Sequence, residues 1–327
     1  MIKKSTIGVF IDLKKAFDTI NHNILLKKLE FYGIRGLVNE WLESYLSNRK
    51  QFVLFDDTRS CLLDVLCGVP QGSILGPKLF ILYINDIVYV SSILKLIIFV
   101  DDTNAFCSGD NIQDVANIVN RELNKLEVWF GVNRLSLNVS KTNYMLFSNS
   151  KVLPLINISI HDYKIEKVNV TKFLGILIDD KLNWKLHIEM VKSKLNKTIS
   201  ILARSKRCLN KSSLHTLYCS MFLPYINYCS EVWGNTYITN IKPICLLQKK
   251  AIRIINNSGF KDHTHELFLK SRVIKFLGLV KLKTAIVMYK AKNKLLPINI
   301  QTLFDSNVNV NYSLRNKKKL FLPNMLE

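Results

Sequence analysis

Asp101 and Asp102 stand side by side at the end of an apolar run in the stretch 96–106, LIIFVDDTNAF, and a third carboxylate, Asp12, ends the run 7–12, IGVFID. No Lys or Arg is adjacent in sequence to any of the three. Carboxylates that gather without cations repel, and their pKa values rise until a positive ion neutralises them. Mg²⁺, a hard ion that seeks oxygen, suits such a group. Two Mg²⁺ ions about 3.5–4 Å apart would activate an attacking hydroxyl and stabilise a leaving pyrophosphate, which is the chemistry of nucleotidyl transfer.

The elements around these acids must bring them together. Ile97 to Val100 is a short β-favouring run that reads as a buried strand, and Asn104-Ala105-Phe106 can return as its hairpin partner, leaving the acids at the turn. Neighbours on a regular strand face opposite ways, a restriction that a tight turn relaxes, and Asp101 is the expected first ligand. Taken alone, Asp-Asp at a turn is more often a solvated hairpin tip. Between the acidic strands, however, lies GVPQGSILGP at 68–77, with glycines that let backbone approach a ligand and prolines that fix the turns, followed by the apolar segment 78–90. This reads as a loop feeding a helix against a nucleotide or base pair.

The ordered set FIDLKKAFDTINH (10–22), GVPQGSILGPKLFILYIND (68–86), FVDDT (99–103), NRLSLNVSKTNYMLF (133–147) and KFLGILIDDKLNW (172–184) resembles palm motifs A to E of the reverse transcriptases of non-LTR (LINE-type) retrotransposons, the jockey-like group above all. The similarity continues through HIEMVKSKLNK, LPYINYCSEVWG and LQKKAIRIINN. PQGS or FVDD alone would be a weak sign; the motifs in order with suitable spacing are a strong one. Mild departures are Phe99-Val100, where many relatives carry Tyr/Phe-Ala, and Asn21, where many carry Asp.

The resemblance implies an α+β fold: a polymerase palm with a ferredoxin/RRM-like antiparallel sheet and packed helices, then a mostly helical, basic thumb. It implies Asp12, Asp101 and Asp102 as ligands of two Mg²⁺ ions, with Mn²⁺ the alternative, and Lys141 as a proton donor or charge stabiliser for pyrophosphate. Phe17 takes the place of the aromatic gate against a ribose 2′-OH, Gln71, Gly72 and Ser73 that of the loop holding nucleotide and template base, and residues 172–178 that of the primer-grip hairpin. The implied partners are an RNA template, a DNA primer and dNTPs. Without the motif context Phe17 reads as core beside a strand and Lys141 as a solvent-facing lysine. Asp18 reads as the cap of a helix starting near Asn21. In the family a fingers region precedes motif A, whereas eleven residues precede Asp12 here, and an upstream endonuclease region is not seen; a poorly active chain, or a nucleic-acid-binding remnant without turnover, is the alternative expectation. An RNA-dependent RNA polymerase is disfavoured by Phe17.

Charge agrees with a nucleic-acid partner. Of 46 Lys plus Arg and 25 Asp plus Glu, residues 1–150 hold 16 and 15, and residues 151–327 hold 30 and 10, so the net charge of +21 lies almost wholly in the second half. There Ile188, Val191, Leu195, Ile199 and Leu202 form a helical stripe with Lys192, Lys194 and Lys197 off it, a core face and a phosphate face. The expected organisation is a palm over 1–150, a connecting hairpin region over 151–185, and a helical thumb with its extension over 186–327, ending in a tail from Asn307 that carries Arg315 and Lys317 to Lys319. A hydrophobic content of 48% excludes disorder as the default. The N-terminus has no secretory pattern, so an intracellular location, nucleus or cytoplasm, is expected. Residues 212–230 lack charged residues but include His215, Pro224 and Asn227, which points to a buried helix and turn rather than a membrane span. Seven scattered cysteines without CxxC indicate neither disulfide framework nor zinc knuckle. Asp262-His263-Thr264-His265-Glu266 reads as a helix start, not a metal site.

Overall fold

The computed structural model describes residues 5–148, 154–161 and 163–304. The chain divides into two compact units, residues up to Phe173 with Ile178–Leu182, and Leu174–Leu177 with everything from Asn183. The content is mixed α/β.

The first unit opens with strand β1 (Ser5–Ile11), then helices α1 (His22–Phe31) and α2 (Leu37–Leu46). A narrow hairpin arm follows, β2 (Lys50–Gln51) pairing with β5 (Leu63–Asp64) and β3 (Leu54–Phe55) with β4 (Thr58–Arg59). Next come α3 (Leu75–Ile84), a 3-10 turn at Asn85–Tyr89, β6 (Lys95–Phe99), β7 (Asp102–Gly109), α4 (Ile112–Val132) and β8 (Asn143–Phe147). Short strands β9 (Ser159–Ile160), β10 (Tyr163–Lys164) and β11 (Glu166–Lys167) precede β12 (Val170–Phe173) and β13 (Ile176–Asp179), a two-stranded hairpin of which residues Leu174–Leu177 count with the second unit.

The main sheet runs in the order β11-β8-β1-β7-β6, antiparallel except for the parallel β11–β8 pair. Its central strand is buried on both faces. Ile7, Val9 and Ile11 join the core that α3 and α4 supply with Leu79, Phe80, Val119, Leu123 and Leu126. On the other face Phe10 packs edge-on to Phe106 at 6.0 Å. Gly8 is needed there because a Cβ would fall 2.8 Å from the Phe106 ring.

One expectation is corrected. The strand read as buried, β6, is the edge of the sheet, with Ile97 41% and Phe99 57% exposed. Leu96 and Ile98 pack on the core. An unbroken apolar run looks the same whether one face or two are covered.

The second unit is helical: α5 (Lys185–Ser205), α6 (Lys211–Leu217), a π turn at Tyr218–Phe222, α7 (Leu223–Asn227), α8 (Ser230–Trp233), α9 (Ile238–Ile255), α10 (His265–Lys270), α11 (Phe276–Lys292) and α12 (Ile298–Gln301), with a final 3-10 turn. The stripe read from sequence is buried along α5 from Ile188 to Leu202. The lysines off the stripe are less uniform than expected. Lys192 pairs with Glu189 at 2.8 Å, and Lys194 lies over the Tyr225 ring at 5.1 Å. The π turn meets Pro224, whose missing N–H cannot continue a regular helix. Residues 212–230 are thus short packed helices, and no described helix is long and apolar enough to cross a membrane.

A buried amide knots this unit. Gln248 donates to Tyr218 Oη and Ile274 O, both at 3.0 Å, and accepts from Phe276 N at 2.8 Å. Burial pushes the Tyr218 hydroxyl up to about 12. Fully buried Trp233 stacks on Phe276 at 5.3 Å. The cysteines are free thiols, and the stretch after Asp262 does start a helix, α10, at His265. The basic tail from Asn307 lies outside the described residues.

Candidate active site

Asp12, Asp101 and Lys141, far apart in sequence, line one cleft of about 660 Å³. Sheet register is the cause. Asp12 follows the last residue of β1, and Ile11 pairs with Thr103 on β7, so the exit of β1 and the entry of β7 share one end of the sheet. Phe99 pairs with Asp102, which leaves Val100-Asp101 as a two-residue loop between β6 and β7. Val100 takes φ 56, left-handed backbone that a β-branched residue rarely adopts. Strain of this kind is tolerated where surrounding structure over-determines the turn, and here it sets the aim of the acids.

Lys141 arrives by another route. Past β1 the chain pairs with residues after α4, through the Leu13–Leu137 bridge and a 2.8 Å bond from Lys14 N to Ser136 O. The loop then turns at Asn138, whose carbonyl accepts from Lys141 N at 3.0 Å. Lys14 and Lys15 also line the cleft, so basic and acidic side chains share its lining.

The electrostatics fit a divalent ion. Burial raises the Asp102 carboxyl above its ordinary value, and the neighbouring charges of Asp101 and Asp12 raise it further. Among the described residues no three His, Cys, Asp or Glu side chains form a complete cage. Mg²⁺ does not need one, since it is commonly held by one or two carboxylates with water and substrate phosphates. Asp12 and Asp101 supply that donor set, with Asp102 adjacent.

The expectation that Asp18 caps the first helix is corrected. Asn21 is the cap, its side chain accepting from Ile24 N at 3.1 Å, because the chain is already extended at that residue. Asp18 instead receives Gln71 Nε2 at 2.8 Å. Around that contact Gly68 N bonds Ile20 O, Val69 N bonds Phe17 O, and His22 Nε2 lies 2.7 Å from Gly68 O. The segment 17–22 thus clamps the glycine-rich loop. Sequence reading missed His22 and misassigned Asp18; the available signal was an acid and an imidazole flanking an N-cap, which is ambiguous without the loop opposite.

Gly68 is the close-approach point of the clamp. It has φ +88, and a Cβ would lie 2.8 Å from Asp18 O and 2.9 Å from Asp18 Cα. Gly68→Ala is expected to lower unfolding free energy by about 2 kcal/mol in urea melts, from left-handed strain and backbone displacement together.

The other expected site residues lie apart from the acidic cleft lining. Phe17 is half-buried and packs on Phe80, ring centres 5.0 Å apart. Ser73 Oγ bonds Pro70 O at 2.8 Å and receives Gly76 N at 2.9 Å, closing the entry to α3. Gly72 takes φ 82 between Gln71 and Ser73. Residues 172–178 do form a hairpin end, with Leu174 at φ 45 and Gly175 at φ 84, the paired positive angles of a type I′ turn.

Residues 1–178 match the family model described as Reverse transcriptase (RNA-dependent DNA polymerase). The probable RNA-directed DNA polymerase from transposon X-element of Drosophila melanogaster is 28% identical over 263 residues, covering 76% of this chain and 28% of that protein. The RNA-directed DNA polymerase from mobile element jockey of the same species is 25% identical over 277 residues, covering 81% of this chain and 30% of that protein. This chain therefore spans less than a third of the length of these relatives. The apo telomerase structure from Candida tropicalis resembles it at TM-score 0.43 and 13% identity, covering 85% of this chain and 46% of that one. With the motifs in order, their acids at one end of one sheet, and a family match over more than half of its length, the chain belongs to the reverse transcriptase (RNA-dependent DNA polymerase) family.

Proposed function

We propose that this chain carries the polymerase centre of a non-LTR retrotransposon reverse transcriptase, which extends a DNA primer with dNTPs on an RNA template. The single observation that carries the reading is the shared cleft of Asp12, Asp101 and Lys141. Asp12 and Asp101 would hold two Mg²⁺ ions, or Mn²⁺ in their place, with Asp102 in support. When bound there, Mg²⁺ supplies Lewis-acid stabilisation of the charge that develops on the phosphoryl oxygens. Lys141, which lines the same cleft, offers a proton or a fixed charge to the departing pyrophosphate. Asp18 and His22 hold the loop of Gln71, Gly72 and Ser73 on which nucleotide and template base would rest. The first unit is read as palm and the second as thumb.

The deciding experiment is Mg²⁺-dependent dNTP incorporation by the purified chain on an RNA template with a DNA primer; absence of extension despite nucleic-acid binding defeats the reading. Binding itself is expected to fall with a slope of about −5 in log affinity against log salt, for about six phosphate contacts, as measured by fluorescence anisotropy. Phe17→Ala is expected to raise rNTP incorporation relative to dNTP about tenfold or more; because Phe17 touches Phe80, its melting temperature is measured alongside.

A further inference from the structure

We propose that Asn138 is a positioning residue for Asp12, holding its carboxylate ready for an ion; this rests on the reading of Asp12 as a metal ligand. Asn138 Nδ2 donates to Asp12 Oδ2 at 2.7 Å. The main chains of the two residues are tied as well. Asn138 N donates to Asp12 O at 2.8 Å, Asp12 N donates to Thr142 Oγ1 at 3.3 Å, and Thr142 Oγ1 donates to Asn138 O at 3.0 Å. These contacts close a ring around Asp12 from both its backbone groups and its side chain. Thr142 is itself 2% exposed.

Chemistry fixes the orientation of the amide. An ionised carboxylate only accepts, so the NH₂ must face Asp12, and the other end, Oδ1, is matched by Ser140 Oγ donating at 2.9 Å. A neutral donor is the suitable partner here. It engages one carboxylate oxygen and holds the rotamer without neutralising the charge, whereas Lys or Arg at the same distance would compete with a cation. Outer partners of this kind tune metal ligands in other proteins by orientation, and their loss commonly reduces metal affinity or activity about 10–100-fold. Because the Asn138 carbonyl also receives Lys141 N at 3.0 Å, one residue sets both Asp12 and the start of the Lys141 turn.

The test uses the full chain and Mn²⁺ as the probe, titrated by electron paramagnetic resonance without nucleic acid, beside steady-state dNTP incorporation. Asn138→Ala is expected to weaken Mn²⁺ binding about tenfold and to lower kcat about 10–100-fold, with KM for dNTP within about threefold and an unchanged melting temperature. Asn138→Gln, which keeps the amide donor, is expected to recover much of both losses. If alanine opens a gap and the variant unfolds, Asn138→Leu keeps the bulk without the donor and decides the matter; unfolding of both makes Asn138 a folding residue and overturns the proposal. A parent that neither binds Mn²⁺ through Asp12 nor incorporates dNTP defeats the underlying reading. A parent that does both, with Asn138→Ala equal to it in both measurements, defeats the positioning role alone.

Discussion

Asp101→Asn is expected to reduce Mg²⁺-dependent dNTP incorporation at least about 10³-fold while leaving the fold intact. The side chain is exposed at the tip of a two-residue loop, so its charge contributes little to packing. Removing it also relieves repulsion with Asp102 and Asp12, whose mutual charges already raise the Asp102 carboxyl beyond the effect of burial. The melting temperature is therefore expected to stay level or to rise slightly, and template-primer affinity to hold or increase. Asp110→Asn, at the far end of β7 and also exposed, serves as the control for loss of one acid. If Asp101→Asn keeps a tenth or more of the parent rate, Asp101 is not an ion ligand. Lys141→Ala should cost less, about 10–10²-fold, because a lysine that assists the leaving group leaves the acids in place.

His187 should make the stability of the second unit depend on pH in a window where few groups titrate. Its ring is 3% exposed, stands edge-on to Trp233 at 5.3 Å, and accepts from Leu177 N at 3.3 Å through Nδ1. Burial, with the charge of Lys194 adding to it, lowers its pKa to about 4. The unfolded chain takes up this proton near the ordinary histidine value and the folded chain does so only near pH 4, so stability is full above about pH 6.5 and falls as pH drops toward 4. The loss across that window is about 3 kcal/mol for one such group. Urea melts of the parent and of His187→Gln at closely spaced pH values measure it. The variant should be less stable at pH 7, having lost the Trp233 contact, yet flatter between pH 6.5 and 4. Parallel curves would mean that the imidazole protonates without leaving its site.

The sequence by itself determined the family, the order of the motifs, the hairpin with acids at its turn, and the apolar stripe of α5. Each of these is a local signal: a carboxylate that ends a β-favouring run, a period of 3.6, or a glycine where backbone turns back. The charge split between halves was equally plain, because counting needs no coordinates.

Pairings across long stretches of chain were not legible. That Asp12 meets Asp101 rests on Ile11 facing Thr103, a register chosen by which faces of β1 and β7 can be buried together. That Asp18 serves Gln71 rather than α1 follows from the close approach of the 17–22 segment to Gly68, and nothing within residues 10–22 distinguishes the two uses. β6 looked buried because an apolar run carries no mark of which face stays open, and its place at the sheet edge decides that. Phe17 was readable as gate or core; the tertiary structure places it against Phe80. Asn138 had no signal at all, since an asparagine in a polar loop is ordinary until the end of β1 is brought to 2.7 Å from it. Local chemistry is written in neighbouring residues, whereas a partner more than a hundred positions away is selected only when the whole core closes and fixes the register.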